Sequence, residues 1–354
     1  MRVASLRRWL VLALGISLLG TSLGGAVGVQ AQEVYTVQAG GESWDMSAQI
    51  NWFSPETITI VSGDTVTWEA GSTEFHTVTF LSGEPVSGFV QETEFGPAIN
   101  PLAGFGAGGA EYDGSGVHSS ELMWRGGPVT SYSLTFTQPG TYGYLCLVHP
   151  TMVGTVEVVD DVSLADDPAL LVDEVNADWL TALSDHALPM IFDYSHVDSV
   201  TTESGEWAQG VTAGVGDDTV AVVRFLPGSI VVHEGELVQW TNEDFVTPHT
   251  VTFLAGGELP QVIVPVPQGD GPPLLTLSPV LLGASGGDTF DGVTPVSSGV
   301  FGGDFPGPAT YTLRFTQAGI YDYVCVLHSD MNMGGTITVV SATPPPPSEP
   351  QPEG

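Results

Sequence analysis

Two cysteines occur in the 354 residues, and each opens the same kind of string. One reads Cys146-x2-His149-x2-Met152, the other Cys325-x2-His328-x4-Met333. Far upstream of each stands a further echo, His76 to Phe80 and His249 to Phe253, both spelling His-Thr-Val-Thr-Phe. A thiolate and a thioether suit a soft monovalent ion such as Cu(I). Imidazole nitrogen suits Cu(II), so one thiolate, two imidazoles and a weak thioether can hold copper in both oxidation states. Zinc also takes Cys and His, but a thioether is a poor zinc ligand. The chain carries the donor set twice, as His76, Cys146, His149 and Met152, and as His249, Cys325, His328 and Met333, with Met331 the alternative to Met333.

The elements that position these donors repeat as well. Phe53, Pro55, Gly63 and Trp68 recur at one offset as Phe225, Pro227, Gly235 and Trp240. Phe136, Gly140, Tyr142, Tyr144 and Cys146 recur as Phe315, Gly319, Tyr321, Tyr323 and Cys325. A unit this long is a duplicated domain rather than a solenoid repeat. Runs such as Thr57–Val61 and Thr65–Trp68, rich in Val, Thr and Ile and broken by Gly, Asp and Pro, read as strands of an antiparallel β-sandwich. Alternation places Tyr142, Tyr144 and Cys146 on one inward face, so Cys146 ends a strand at one end of the sandwich. His76 opens another strand there, and the return strand begins at Thr155. The expected organisation is a leader over 1–31, a first domain over 32–160, an inter-domain segment over 161–205, a second domain over 206–342 and a Pro-rich disordered tail over 343–354. Within the inter-domain segment, Asp167-Pro168 reads as a cap and first turn. The stripe Val172, Val175, Trp179 and Leu183 then predicts one amphipathic helix that stops before Pro189. Gly-rich insertions, including Gly104–Gly109 and the stretch from Ala255 to Pro308, are long loops for a small sandwich.

Composition limits the function classes. The first 31 residues combine Arg2, Arg7 and Arg8, an apolar stretch from Trp9 to Leu19 and a small-residue end at Ala31, without an acid. That is the pattern of a secretory signal peptide, with the Arg7-Arg8 pair a weak hint of twin-arginine export. Its removal leaves three arginines, no lysine and all 41 acids. Such a charge repels nucleic acid and anionic membranes, and suits solubility or steering toward a basic partner. The expected location is extracytoplasmic: periplasmic, cell-surface or secreted, with no transmembrane segment in the mature chain. One cysteine per domain rules out a disulfide scaffold, and a bound metal would keep each thiol reduced.

On these strings each half resembles the cupredoxin family, the plastocyanins and amicyanins. The first loop has amicyanin-like spacing and the second plastocyanin-like spacing. The resemblance implies two tandem Greek-key β-sandwiches, each with one type 1 copper, that transfer single electrons between redox partners by outer-sphere contact. It also implies that His149 and His328 each expose a ring edge through an apolar patch, to which Pro150 and Met152 would contribute. Two-domain copper nitrite reductases and multicopper oxidases share the fold, but add coppers through His-x-His pairs and a His beside the blue-copper Cys. Here Cys146 is flanked by Leu145 and Leu147, Cys325 by Val324 and Val326, and no His-x-His occurs. His118, His186, His196 and His233 are the only material for a further metal site and read as surface or packing residues. Copper storage or delivery, which favours several Met or His in open sites, is the remaining alternative.

Overall fold

The computed structural model describes residues 32–341 except 304 and 306. The expected leader (1–31) and tail (343–354) lie outside the described residues. In the first half, Val34–Glu42 pairs with Ala48–Ser54 and with Thr65–Ala70, which in turn pairs with Ser131–Phe136. Opposite lies a sheet of Thr57–Val61, Val153–Val159, Gly140–Leu145, Thr79–Phe80 and His118–Ser119. Alternation turns Ile58 and Ile60 inward from the first of these strands. Between the sheets, Trp68 meets Phe80 and Tyr144 edge-on at centroid distances of 5.7 and 5.2 Å. The second half repeats the plan with Trp207–Gly216, Val220–Leu226, Leu237–Glu243 and Thr310–Phe315 on one side. Ser229–His233, Gly334–Val340, Gly319–Val324, Thr252–Phe253 and Val296–Ser297 face them. Trp240, Phe253 and Tyr323 fill the matching core. The protein is therefore all-β in its main layers, with two sandwiches.

The sandwiches are mixed rather than purely antiparallel. Val34–Glu42 runs parallel to Thr65–Ala70, and Val153–Val159 runs parallel to Thr57–Val61. The strand after His76 is also shorter than expected: His76 makes only an isolated bridge to Met123, and pairing begins at Thr79. The return strand starts at Val153, two residues before Thr155.

The two halves are sewn together. Ala48–Ser54 pairs antiparallel with Val220–Leu226, through Ile50↔Val220 and Ala48↔Val222, so one sheet runs through both. The segment 168–194 covers this seam. Its helix begins at Pro168, capped by the Asp167 side chain on the Ala169 N–H. It does not stop before Pro189. After Thr181 it widens into a π-helix over Ala182–Ala187 and continues as Leu188–Tyr194, with Pro189 in the first turn of the new piece, where its missing N–H costs little. Val172 points outward. Leu171 takes the buried place and joins the first core, while Trp179, Ala182, Leu183 and Ala187 pack on Ile50, Val220 and Val222. Ser199–Thr201 then adds a strand beside Trp207–Gly216.

The Gly-rich insertions form a second junction. Val90–Thr93 and Gly96–Ile99 of the first meet Ile263–Val266 and Leu274–Leu277 of the second in one four-stranded sheet, joined at Ala98↔Thr276. Among the described residues, no helix is long and apolar enough to cross a membrane.

Candidate metal centres

His76, Cys146 and His149 come together in the first sandwich, and His249, Cys325 and His328 in the second. Within each trio the potential donor atoms lie within 4.8 Å of one another, and all six residues are buried. In the first, Cys146 Sγ is 4.0 Å from His76 Nδ1 and 3.9 Å from His149 Nδ1. In the second, Cys325 Sγ is 3.9 Å from His249 Nδ1 and 3.4 Å from His328 Nδ1, and the two Nδ1 atoms are 3.1 Å apart.

Backbone geometry forces this convergence. Each cysteine sits immediately after the strand that carries Tyr144 or Tyr323 inward. The residue after the upstream histidine ties the two segments together twice. Thr77 donates its N–H to Cys146 Sγ at 3.3 Å, while its Oγ1 accepts the Leu147 N–H at 2.8 Å. Thr250 does the same for Cys325 and Val326, at 3.3 and 2.7 Å. Gly40 and Gly214 lie at bulges in their strands, with φ of +75° and +81°, against the upstream histidine rings. A bulged glycine lets backbone pass where a side chain would displace the ring. Thr77 and Thr250 stood in the echoed strings, so their role was legible as a repeat. Gly40 and Gly214 had no comparable signal.

The methionines are placed by the same register. The Cys146 N–H donates to Met152 O at 2.9 Å, and the Cys325 N–H to Met333 O at 3.0 Å. Met333 thus stands where Met152 stands, and both side chains are buried. The two extra residues of the second loop are absorbed by a 3-10 turn, Ser329–Met331, closed by left-handed Asn332.

The outward ring edges are not on the surface. His149 is 3 % exposed and His328 4 % exposed. Their loops, through Leu147 and Val326, join one apolar cluster with Ile99, Leu277 and Leu281 of the two insertions. Both histidines border one cavity of about 580 Å³, lined by residues of both halves. Of the expected patch residues, Pro150 is exposed and Met152 is inside. The exposure of ring edges expected from the resemblance fails because each half covers the other's apolar patch. Polar contacts complete the cover: Thr151 donates to Asp218 O at 3.0 Å, and Arg224, within Val220–Leu226, bridges Met331 O and Asp45 O at 2.8 and 2.6 Å.

Charge differs between the centres. Burial, then the neighbouring His149, holds the His76 pKa down at about 3, so its ring is neutral at ordinary pH. Its Nε2 lies 2.9 Å from Ser72 Oγ. Burial pushes the Cys146 thiol up, with the Thr77 N–H partly opposing it. At Cys325 burial acts in the same sense but is outweighed by His328 and His249, and the thiol lies well below its usual range. His328 is the mirror of this: burial lowers it, while Cys325 and Glu74 carry it up to about 10. Burial likewise opposes ionisation of Glu74, but contact with His328 holds that carboxyl down at about 2.

The remaining histidines are engaged elsewhere. His118 Nε2 lies 3.1 Å from Glu111 O, with the ring edge-on to Tyr112. His186, His196 and His233 pair with Asp217, Asp198 and Glu236 at 2.6, 3.2 and 3.5 Å. Among the described residues, the two His-Cys-His trios are the only such metal-holding groups.

The donor sets fit copper: a buried thiol on a backbone N–H, two imidazole Nδ1 atoms turned to it and a buried methionine beside it. Residues 36–159 match the family model of copper binding proteins, plastocyanin/azurin family. Over that stretch the chain is cupredoxin-like, and its second half repeats the copper donor set. An amicyanin variant in its oxidized state is 21 % identical, over 37 % of this chain and 80 % of its own, with a TM-score of 0.22. Oxidized plastocyanin from Dryopteris crassirhizoma is 23 % identical, over 37 % of this chain and 99 % of its own, with a TM-score of 0.22. No curated protein matches the chain. The donor sets of this cupredoxin-like chain provide for one copper in each half.

Proposed function

We propose that the chain is an exported protein with two type 1 coppers that carries single electrons between redox partners outside the cytoplasm. Two cupredoxin domains, 32–160 and 206–342, are joined by residues 161–205. A first copper would be held by His76, Cys146, His149 and Met152, and a second by His249, Cys325, His328 and Met333. Met333 rather than Met331 would supply the thioether, because its carbonyl receives the cysteine N–H as that of Met152 does. When bound, copper supplies a one-electron Cu(II)/Cu(I) couple at each site.

The protein's part is to hold both states in one arrangement. The upstream histidines are fixed by short bridges, His76 to Met123 and His249 to Phe301. Thr77 and Thr250 lock the ligand loops to those segments. Burial of all six donors keeps water from the thiolates. Ligands so fixed cannot reorganise far when the charge changes, which favours fast outer-sphere transfer. His149 and His328 lead to the shared cavity, so electrons pass between them and the surface through its lining.

The observation that carries this reading is the pair of buried thiols, each converging with two histidines in an equivalent backbone frame. It is tested by reductive titration of the copper-loaded chain, followed by mixing with an oxidised cytochrome. The chain should take up two electrons and deliver them one at a time. Catalytic turnover of nitrite or dioxygen would contradict it.

A further inference from the structure

One difference between the two halves lies beside the copper loops. His328 Nε2 lies 3.3 Å from Glu74 Oε2, with the side chains 5 % and 9 % exposed. Glu74 belongs to the first half and stands two residues before His76. Its Oε1 accepts the Phe75 N–H at 2.8 Å, and Oε2 makes no aligned hydrogen bond among the described residues, leaving the His328 contact as its compensation. The second half has Thr247 at the matching place, two residues before His249, and both Glu74 and Thr247 border the cavity between the sites. A carboxylate therefore crosses from the first half to the outward edge of His328, and the second half sends none back from that position.

We propose that Glu74 is a positioning residue that makes the two copper sites unequal. Its carboxylate, set against His328 Nε2, lowers the reduction potential of the second site and biases an electron shared within the chain toward the first. This rests on the reading that both sites hold copper. A carboxylate on the far nitrogen of a metal-ligating imidazole fixes the ring and raises its basicity. A more basic ligand and a nearby negative charge favour the oxidised, more positive state of the site. Burial limits the screening that would weaken the effect. The same contact joins the sites: from His328 the path crosses to Glu74 and reaches His76 along two residues of chain. One electron moves, one site being oxidised as the other is reduced, while no bond forms or breaks and the proton stays on His328 Nε2.

The test is spectroelectrochemical titration of the copper-loaded full chain. Cys325→Ser leaves the first site alone and Cys146→Ser the second, which assigns each potential. The first site should be the higher. Glu74→Gln, similar in size but uncharged, should raise the second potential by about 59 mV, a tenfold change in electron sharing for a one-electron couple. The first potential should move less, and Glu74→Asp, which keeps the charge, should stay nearer the parent. A second potential that is unchanged or lowered in Glu74→Gln, or a shift equal at both sites, overturns the proposal. If Glu74→Gln loses the second copper, the order of the parent potentials decides: a first site equal to or below the second overturns it. A parent chain that binds no blue copper refutes the underlying reading instead.

Discussion

Gly40 lies where the metal-centre geometry is most sensitive to one atom. A Cβ added there would sit 2.2 Å from His76 Nε2, 2.7 Å from its Cδ2 and 2.9 Å from Ser72 Oγ. None of these can yield freely. The His76 ring is buried and its other nitrogen is turned toward Cys146, so retreat from Gly40 displaces the donor. The left-handed φ of +75° costs any other residue about 1–2 kcal/mol, and overpacking of a tight interior costs about 1–3 kcal/mol. Gly40→Ala should therefore destabilise the metal-free protein by about 2–5 kcal/mol and weaken copper binding at the first site. Gly214→Ala, with its Cβ 2.0 Å from His249 Nε2, should do the same at the second site. Chemical denaturation reads the stability. A Cu(II) titration followed at the thiolate-to-copper absorption reads the sites, with one blue copper kept in each variant. If Gly40→Ala binds two coppers with unchanged colour and an unchanged denaturation midpoint, His76 does not sit where this geometry puts it.

Other perturbations separate the parts. Cys146→Ser and Cys325→Ser should each abolish the intense colour of one site and leave the other, read by absorption; full colour in both would refute the ligand assignment. Thr77→Val leaves the Leu147 N–H buried without its acceptor, and should cost about 1–3 kcal/mol in the metal-free protein by denaturant titration. No loss would mean that the threonine does not pin the loop. With 41 acids against six basic residues, transfer to a basic redox partner should slow as salt rises, measured by stopped flow. A salt-independent rate would assign the charge to solubility alone.

The donor residues were legible because chemistry restricts them: few other roles ask for Cys-x2-His with a following Met and an upstream His-Thr-Val-Thr-Phe, twice. The sandwiches were legible from short alternating runs, but not their parallel pairs, since alternation marks a strand's faces and not its neighbours. The docking of one copper end on the other was not legible either. It depends on the Ile50↔Val220 register and the Ala98↔Thr276 bridge, and edge pairing leaves no pattern in either strand alone. The helix ran past Pro189 because a π-turn, which propensity does not announce, precedes the proline. Glu74 was hidden among scattered acids, although its replacement by Thr247 in the second repeat marked a position where otherwise matching halves diverge.

Visible absorption and electron paramagnetic resonance during Cu(II) titration of the chain bear on the two-copper reading more than any other measurement. Saturation at two coppers per chain, with intense blue colour and only type 1 signals, is the expected result. A colourless product, a single blue copper, or an additional type 2 signal would contradict it.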